Sequence, residues 1–229
     1  GLHNAEGALF AVAGIGLYRV RSDASVEFIA EIPGAGRVSM AHNQITGGNV
    51  LVVANGFAAY TYNTATNEFA KIADEGFPGA RVVDFVDGYI AFTEPAGRFW
   101  GHSELVQAGE YNTLDRYEAE SAPDKIVGLI VSHREVIVGG ERTTEIFRNT
   151  GAATGTFQRA DGTEMERGWA SPWAVARLDN TVYWLGNDGI VYRLEGYQPV
   201  RVSTTPIEQD LSRRRLSLAF AFTFESRGH

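Results

Sequence analysis

The sequence predicts an all-β protein, a β-propeller built from about five four-stranded antiparallel blades. Three observations predict it. A strand–turn–strand pair recurs along the chain, its first strand beginning near residues 8, 50, 89, 135 and 181. The 26 glycines follow no collagen-like period and so read as frequent tight turns. Helical periodicity is confined to residues 206–217. An antiparallel unit returning every ~40–50 residues is the signature of propeller blades. Two alternatives remain at this point: six or more blades, incomplete in this chain, or a β-sandwich of similar strands.

The clearest unit is the last. Residues 172–179 form a first strand, a, and 181–186 a second, b, joined through the turn-prone pair Asp179-Asn180. The turn GNDG leads to c at 190–195, and GYQP to d at 200–203. Upstream, b–c pairs fall at 8–20, 50–62, 89–101 and 135–148, the second with Asn55-Gly56 as its hairpin turn. Strands of type a precede b at 37–43, 80–87 and 125–132. The first unit shows no such strand, whereas 216–224 (LSLAFAFTF) has the right pattern, so the end of the chain is expected to close the ring through the first blade. The a strands carry the smallest side chains, as suits positions near an axis. Tyr18, Tyr60, Phe147 and Tyr192 fall on c strands and are expected to pack between blades. The whole chain, 1–229, reads as a single propeller domain. Its first residue, Gly1, and its end just after a strand-like run suggest a fragment of a longer protein.

Composition narrows the function. Hydrophobic residues make up 44% of the chain and charged residues 21%, enough apolar content for a large core. The net charge of -8 argues against tight nucleic-acid binding, which depends on neutralising phosphates. With no cysteine, disulfides and thiolate metal sites are excluded. No apolar run is long enough to span a membrane, and the first residues lack the basic-then-apolar pattern of a signal peptide.

Motifs for chemistry are scarce. The histidines at 3, 42, 102, 133 and 229 are scattered, without metal-ligand spacing. His42 and His133 both end a strands and could share a neighbourhood. Asp84 is the one carboxylate in the middle of an a strand, while Glu118, Glu120 and Asp124 cluster elsewhere. A glycosidase needs two carboxylates at a fixed separation, and one inner Asp does not supply them. The Gly-x-Gly steps at 14–16 and 34–36 read as turns, and NDGIVY (187–192) lacks the ligands of a calcium loop. Arg213–Arg215 read as a solvated face. The sequence therefore predicts no enzyme: no catalytic residue, no cofactor and no metal site.

One stretch is irregular. Residues 97–124 are too long for a blade turn and read as an insertion within the third blade. Its Phe99, Trp100, Tyr111, Arg116 and Tyr117 are the types that anchor interfaces, so they are the expected partner-binding residues.

The segments GAGRVSMAHNQ (34–44), DRYEAESAPDKIVGL (115–129) and TTEIFRNTGA (143–152) resemble the packaged-DNA stabilisation proteins, tail accessory factors of short-tailed bacteriophages. The resemblance runs from about residue 30 to 155. It implies a structural part of the virion tail, made and assembled in the bacterial host cytoplasm. Such proteins join below the portal after packaging and help retain DNA in the head. Their implied partners are the adaptor ring, the needle and the tailspikes, with self-association as a ring. The resemblance carries over no catalytic residue. The alternative from a different class is a carbohydrate-binding or glycosidase-like propeller.

Overall fold

The computed structural model describes residues 1–34, 36–45, 48–119 and 124–224. Its strands form five four-stranded sheets, each a meander in chain order. The first contains β1 (Leu2–Ala5), β2 (Ala8–Ala13), β3 (Gly16–Val20) and β4 (Val26–Glu31). The second contains β5 (Ser39–His42), β6 (Val50–Ala54), β7 (Ala59–Asn63) and β8 (Phe69–Lys71). The third contains β9 (Val83–Val86), β10 (Tyr89–Thr93), β11 (Phe99–Glu104) and β12 (Gln107–Glu118). The fourth contains β13 (Ile126–Ser132), β14 (Glu135–Gly140), β15 (Thr144–Asn149) and β16 (Phe157–Arg159). The fifth contains β17 (Val175–Leu178), β18 (Thr181–Leu185), β19 (Val191–Glu195) and β20 (Gln198–Arg201). The chain groups into two compact units, Gly1–Tyr117 with the first three sheets and Glu118–His229 with the last two.

Four of the five a–b connections are set by backbone handedness. Glu6-Gly7, Asp87-Gly88, His133-Arg134 and Asp179-Asn180 all have positive φ at both residues. That is the two-residue turn whose twist matches an antiparallel hairpin. The Asn55 turn is longer, spanning 55–58, and the Asn55 side-chain oxygen accepts from the Phe57 and Ala58 N–H groups.

In the first unit, alternate residues of β6 face opposite neighbours. Leu51 and Val53 pack with Phe10, Leu17, Tyr60 and Tyr62, whereas Val52 and Ala54 pack with Val83, Ile90, Phe92 and Tyr111. In the second unit, Ile130, Ile137 and Ile146 of the fourth sheet pack with Trp169, Val182, Trp184 and Tyr192. The middle sheet of the first unit is thus buried on both faces, which a two-layer sandwich does not do. Within each unit, neighbouring a strands lie side by side and run the same way. Gly1 sits against Val38 and Met40, and His3 meets His42. Likewise Gly128 sits against Pro172, and the Arg177 side chain reaches the Val131 carbonyl.

Three expectations are corrected. The first sheet has its own a strand, β1, paired antiparallel with β2 from Leu2↔Ala11 to Ala5↔Ala8. Residues 216–224 belong to no sheet: Leu216–Leu218 form a 3-10 turn and 219–224 follow without a ladder. Residues 97–124 are not a loop insertion, because 99–104 and 107–118 are strands c and d of the third sheet; residues 120–123 lie outside the described residues. The expected helix at 206–217 shortens to α1 (Thr205–Leu211), with Pro206 in its first turn. Of the c-strand aromatics, Tyr60, Phe147 and Tyr192 are buried, while Tyr18 is half-buried and packs edge-on against Phe28 of its own sheet.

Gly139 tests the packing. A Cβ there would fall inside the Trp169 indole, itself only 2% exposed. Gly139→Ala is expected to lower stability in urea denaturation by about 1–3 kcal/mol, the usual cost of overpacking a core. Gly109→Ala, where a Cβ meets open space, should stay within about 0.5 kcal/mol of the parent. Equal effects at the two sites would contradict the packing described.

Candidate functional site

The outer half of the third sheet gathers the residues singled out above. Its β12, at the end of the strand order, is 12 residues long, whereas the other d strands have three to six. Its burial alternates loosely. Ala108, Tyr111 and Asp115 turn inward, while Asn112, Thr113, Leu114 and Arg116 are exposed, Leu114 at 82%.

Of the five predicted partner-binding residues, the structure pairs Arg116 with Phe99 and Tyr117 with Trp100, and places Tyr111 apart. Arg116 lies over the Phe99 ring, 4.3 Å from its centroid, and pairs with the buried Glu94 carboxylate. Arg98 approaches the same ring at 4.9 Å. Trp100 is fully buried and stacks on Tyr117 at 4.6 Å. Tyr111 is buried among Phe77 and Phe92, at 4.5 and 5.3 Å, and donates its hydroxyl to the Ala108 carbonyl. Burial, then the Asp74 charge, pushes the Tyr111 phenol up. Trp100 and Tyr111 therefore serve as packing, whereas Phe99, Arg116 and Tyr117 reach the surface.

His102 organises the interior side of this patch, a role its isolation in the sequence concealed. Its Nδ1 lies 2.8 Å from the Ser103 carbonyl, which can only accept, so Nδ1 carries the proton. Nε2 then accepts from the Tyr117 hydroxyl at 3.2 Å. Tyr89 packs edge-on at 4.8 Å, and Asp115 lies 4.0 Å from Nε2. Burial lowers the His102 pKa, against the opposing pull of the Ser103 carbonyl and the Asp115 and Glu104 charges. The neutral ring orients Tyr117 and, through it, Trp100. It acts as a positioning group.

Among the described residues no three His, Asp or Glu side chains gather as metal ligands. His42 contacts His3, with 2.8 Å between Nδ1 and Nε2, and burial lowers its pKa. His133 instead contacts Asn180 at 3.0 Å. Asp84 accepts from the Phe85 N–H. A groove of about 420 Å³ between the fourth and fifth sheets holds one carboxylate, Glu135, which accepts from Arg148 and Tyr197. A lone, paired carboxylate there does not make the acid/base pair a glycosidase requires. Among the described residues no helix is long and apolar enough to cross a membrane.

The family described as Bacteriophage P22 Gp10, beta-propeller, matches residues 1–227. The tail hub protein gp10 of Salmonella phage P22 is 28% identical, over a match covering 66% of this chain and 32% of that protein. The chain thus spans about a third of the length of this curated relative. Among solved structures, the extracellular domain of a putative hybrid two-component system from B. thetaiotaomicron superposes with a TM-score of 0.63 at 14% identity, covering 96% of this chain and 28% of that one. The WD40 domain of Neurospora crassa Pan2 gives 0.61 at 9% identity, covering 90% and 65%. These likenesses speak to the fold alone.

The His102 geometry sets a pH dependence. A histidine whose folded pKa lies below its unfolded value near 6.5 stabilises the fold fully above that value, and the contribution is lost as pH falls toward the folded pKa. His42 acts in the same direction, so the comparison must be differential. Urea unfolding between pH 7.5 and 5 should show His102→Gln losing less stability on acidification than the parent. Parallel pH profiles would remove His102 from the account.

Proposed function

This chain belongs to the family of the Bacteriophage P22 Gp10 β-propeller, and from that premise we propose that it is part of a short tail that joins below the portal after packaging and retains DNA in the head. The family match across residues 1–227 carries the reading. Family membership supports a structural protein of the virion tail. In this role the protein acts through protein–protein contacts, with the adaptor ring, the needle and the tailspikes as partners and self-association as a ring.

The outer edge of the third sheet is the surface assigned to those contacts. Leu114 stands exposed on β12, two residues before the exposed Arg116, while Leu105 and Val106 are exposed in the turn before it. An apolar residue ringed by polar ones on a rigid strand suits an interface with a structured neighbour. Trp100 and Tyr111 support this edge from behind. The net charge of -8 suits a protein that stands beside DNA without gripping it.

The reading is tested by adding the intact protein to DNA-filled heads that lack it and measuring the DNA retained. Retention should be restored by the parent and reduced by Leu114→Asp, whose site is exposed and leaves the core untouched. Failure of the parent to restore retention would refute the role. Full retention by Leu114→Asp would move the contacts off this edge.

A further inference from the structure

The groove between the fourth and fifth sheets lies at the end where their a and b strands turn, and its volume of about 420 Å³ is that of a small-molecule site. Ser132, His133 and Glu135 line it from the fourth sheet, and Asn180, Thr181 and Tyr197 from the fifth. Two contacts cross between the sheets and frame it. The Asn180 side-chain oxygen can only accept, so His133 Nε2 donates to it at 3.0 Å, while Nδ1 lies 3.1 Å from the Ser132 hydroxyl. The Tyr197 hydroxyl donates to Glu135 Oε1 at 3.0 Å and accepts from the Arg148 guanidinium at 2.7 Å.

The backbone around the groove is held in a costly conformation. His133, Asn180, Gly196 and Tyr197 have positive φ, at 52°, 60°, 52° and 67°. Glycine and asparagine adopt this region readily. Tyr197, and Arg134 beside His133 with φ 65°, are bulky residues for which it is unfavourable. His133-Arg134 is also the one a–b turn among the four left-handed pairs without Gly, Asp or Asn. Strain of this kind collects at ligand sites, where the surrounding contacts hold it.

The unused hydrogen-bonding groups define a ligand. Glu135 engages Arg148 and Tyr197 through Oε1, and its Oε2 has no protein partner among the described residues. The Asn180 amide nitrogen is likewise uncommitted. The groove therefore offers an ionised acceptor from one sheet and an amide donor from the other, with apolar surface from Ile137 and Leu194. Arg148 Nε already sits 2.6 Å from Glu135, so a cationic ligand would have to displace it, and an anion would meet the carboxylate. A neutral molecule rich in hydroxyls suits all three features. One hydroxyl donates to Glu135 Oε2, another oxygen accepts from Asn180, and a C–H face packs on the apolar surface. We propose that this groove binds a neutral saccharide and, with one carboxylate, does not cleave it. The site uses no residue of the third sheet, so it holds or fails independently of the tail contacts proposed above.

Amide chemical-shift titration of the 229-residue chain with methyl glucoside, mannoside and galactoside tests the proposal. Methylammonium and acetate serve as the cation and anion controls. At least one hexoside should shift the amides of residues 132–137, 180–181 and 196–197 saturably, with a dissociation constant on the order of 1–10 mM for so small a ligand. Glu135→Gln should weaken this binding about ten-fold by removing the charge-assisted acceptor. Asn180→Gly keeps a residue suited to φ 60° and removes the amide donor. It should weaken binding about five-fold or more, and it carries the test should Glu135→Gln lose the dispersed spectrum of the folded parent. No saturable shift with any hexoside well above that concentration, tighter binding of methylammonium or acetate, or parent-like binding by either folded variant would each overturn the proposal.

Discussion

Val52 and Val53 are neighbours on β6, both fully buried, yet they belong to different cores. Val53 packs toward Phe10 and Leu17 of the first sheet, and Val52 toward Ile90 and Phe92 of the third. A strand that is apolar on both faces must have a neighbour on each. Burying a large aliphatic side chain contributes about 1.5–3 kcal/mol, and β6 has such groups on either side. The constraint explains why the unit is repeated: one four-stranded sheet cannot cover itself, and each copy supplies the surface the next one needs.

The same constraint sorts residues into supports and surfaces. Near the hairpin ends, tight left-handed turns free the connections from the core, and side chains such as His133 reach across to the next sheet. At the outer rim, packing weakens and polar chemistry takes over. Arg116 closes over Phe99 and neutralises Glu94, and His102 fixes the Tyr117 hydroxyl. A rim supported from behind by Trp100 and Tyr111 suits the protein–protein contacts proposed for it.

Much of this was legible in the sequence. The b–c pairs announce themselves because central strands buried on both faces read as runs of β-branched and aromatic residues. The Asp179-Asn180 turn is visible from local chemistry. What was not legible has a physical reason in each case. β1, with the sequence LHNA, has almost no strand propensity and exists because β2 offers it an edge. Strand β12 looked like a loop because a solvated rim strand needs no apolar alternation. Residues 219–224 show the opposite: their alternation is strong, but a strand also requires a partner, which no sheet here provides. At the candidate site, the aromatic and Arg residues were found by type, but their division into buried and exposed depended on Glu94 and His102, which sequence distance hides.

Native-state hydrogen exchange at increasing denaturant tests most directly whether sheets depend on each other's faces. Because β6 and β10 bury one another through Val52, Ile90 and Phe92, their amides are predicted to share one opening free energy and to be exposed together. A second sheet that opens fully while the amides of β10 stay protected would contradict the account.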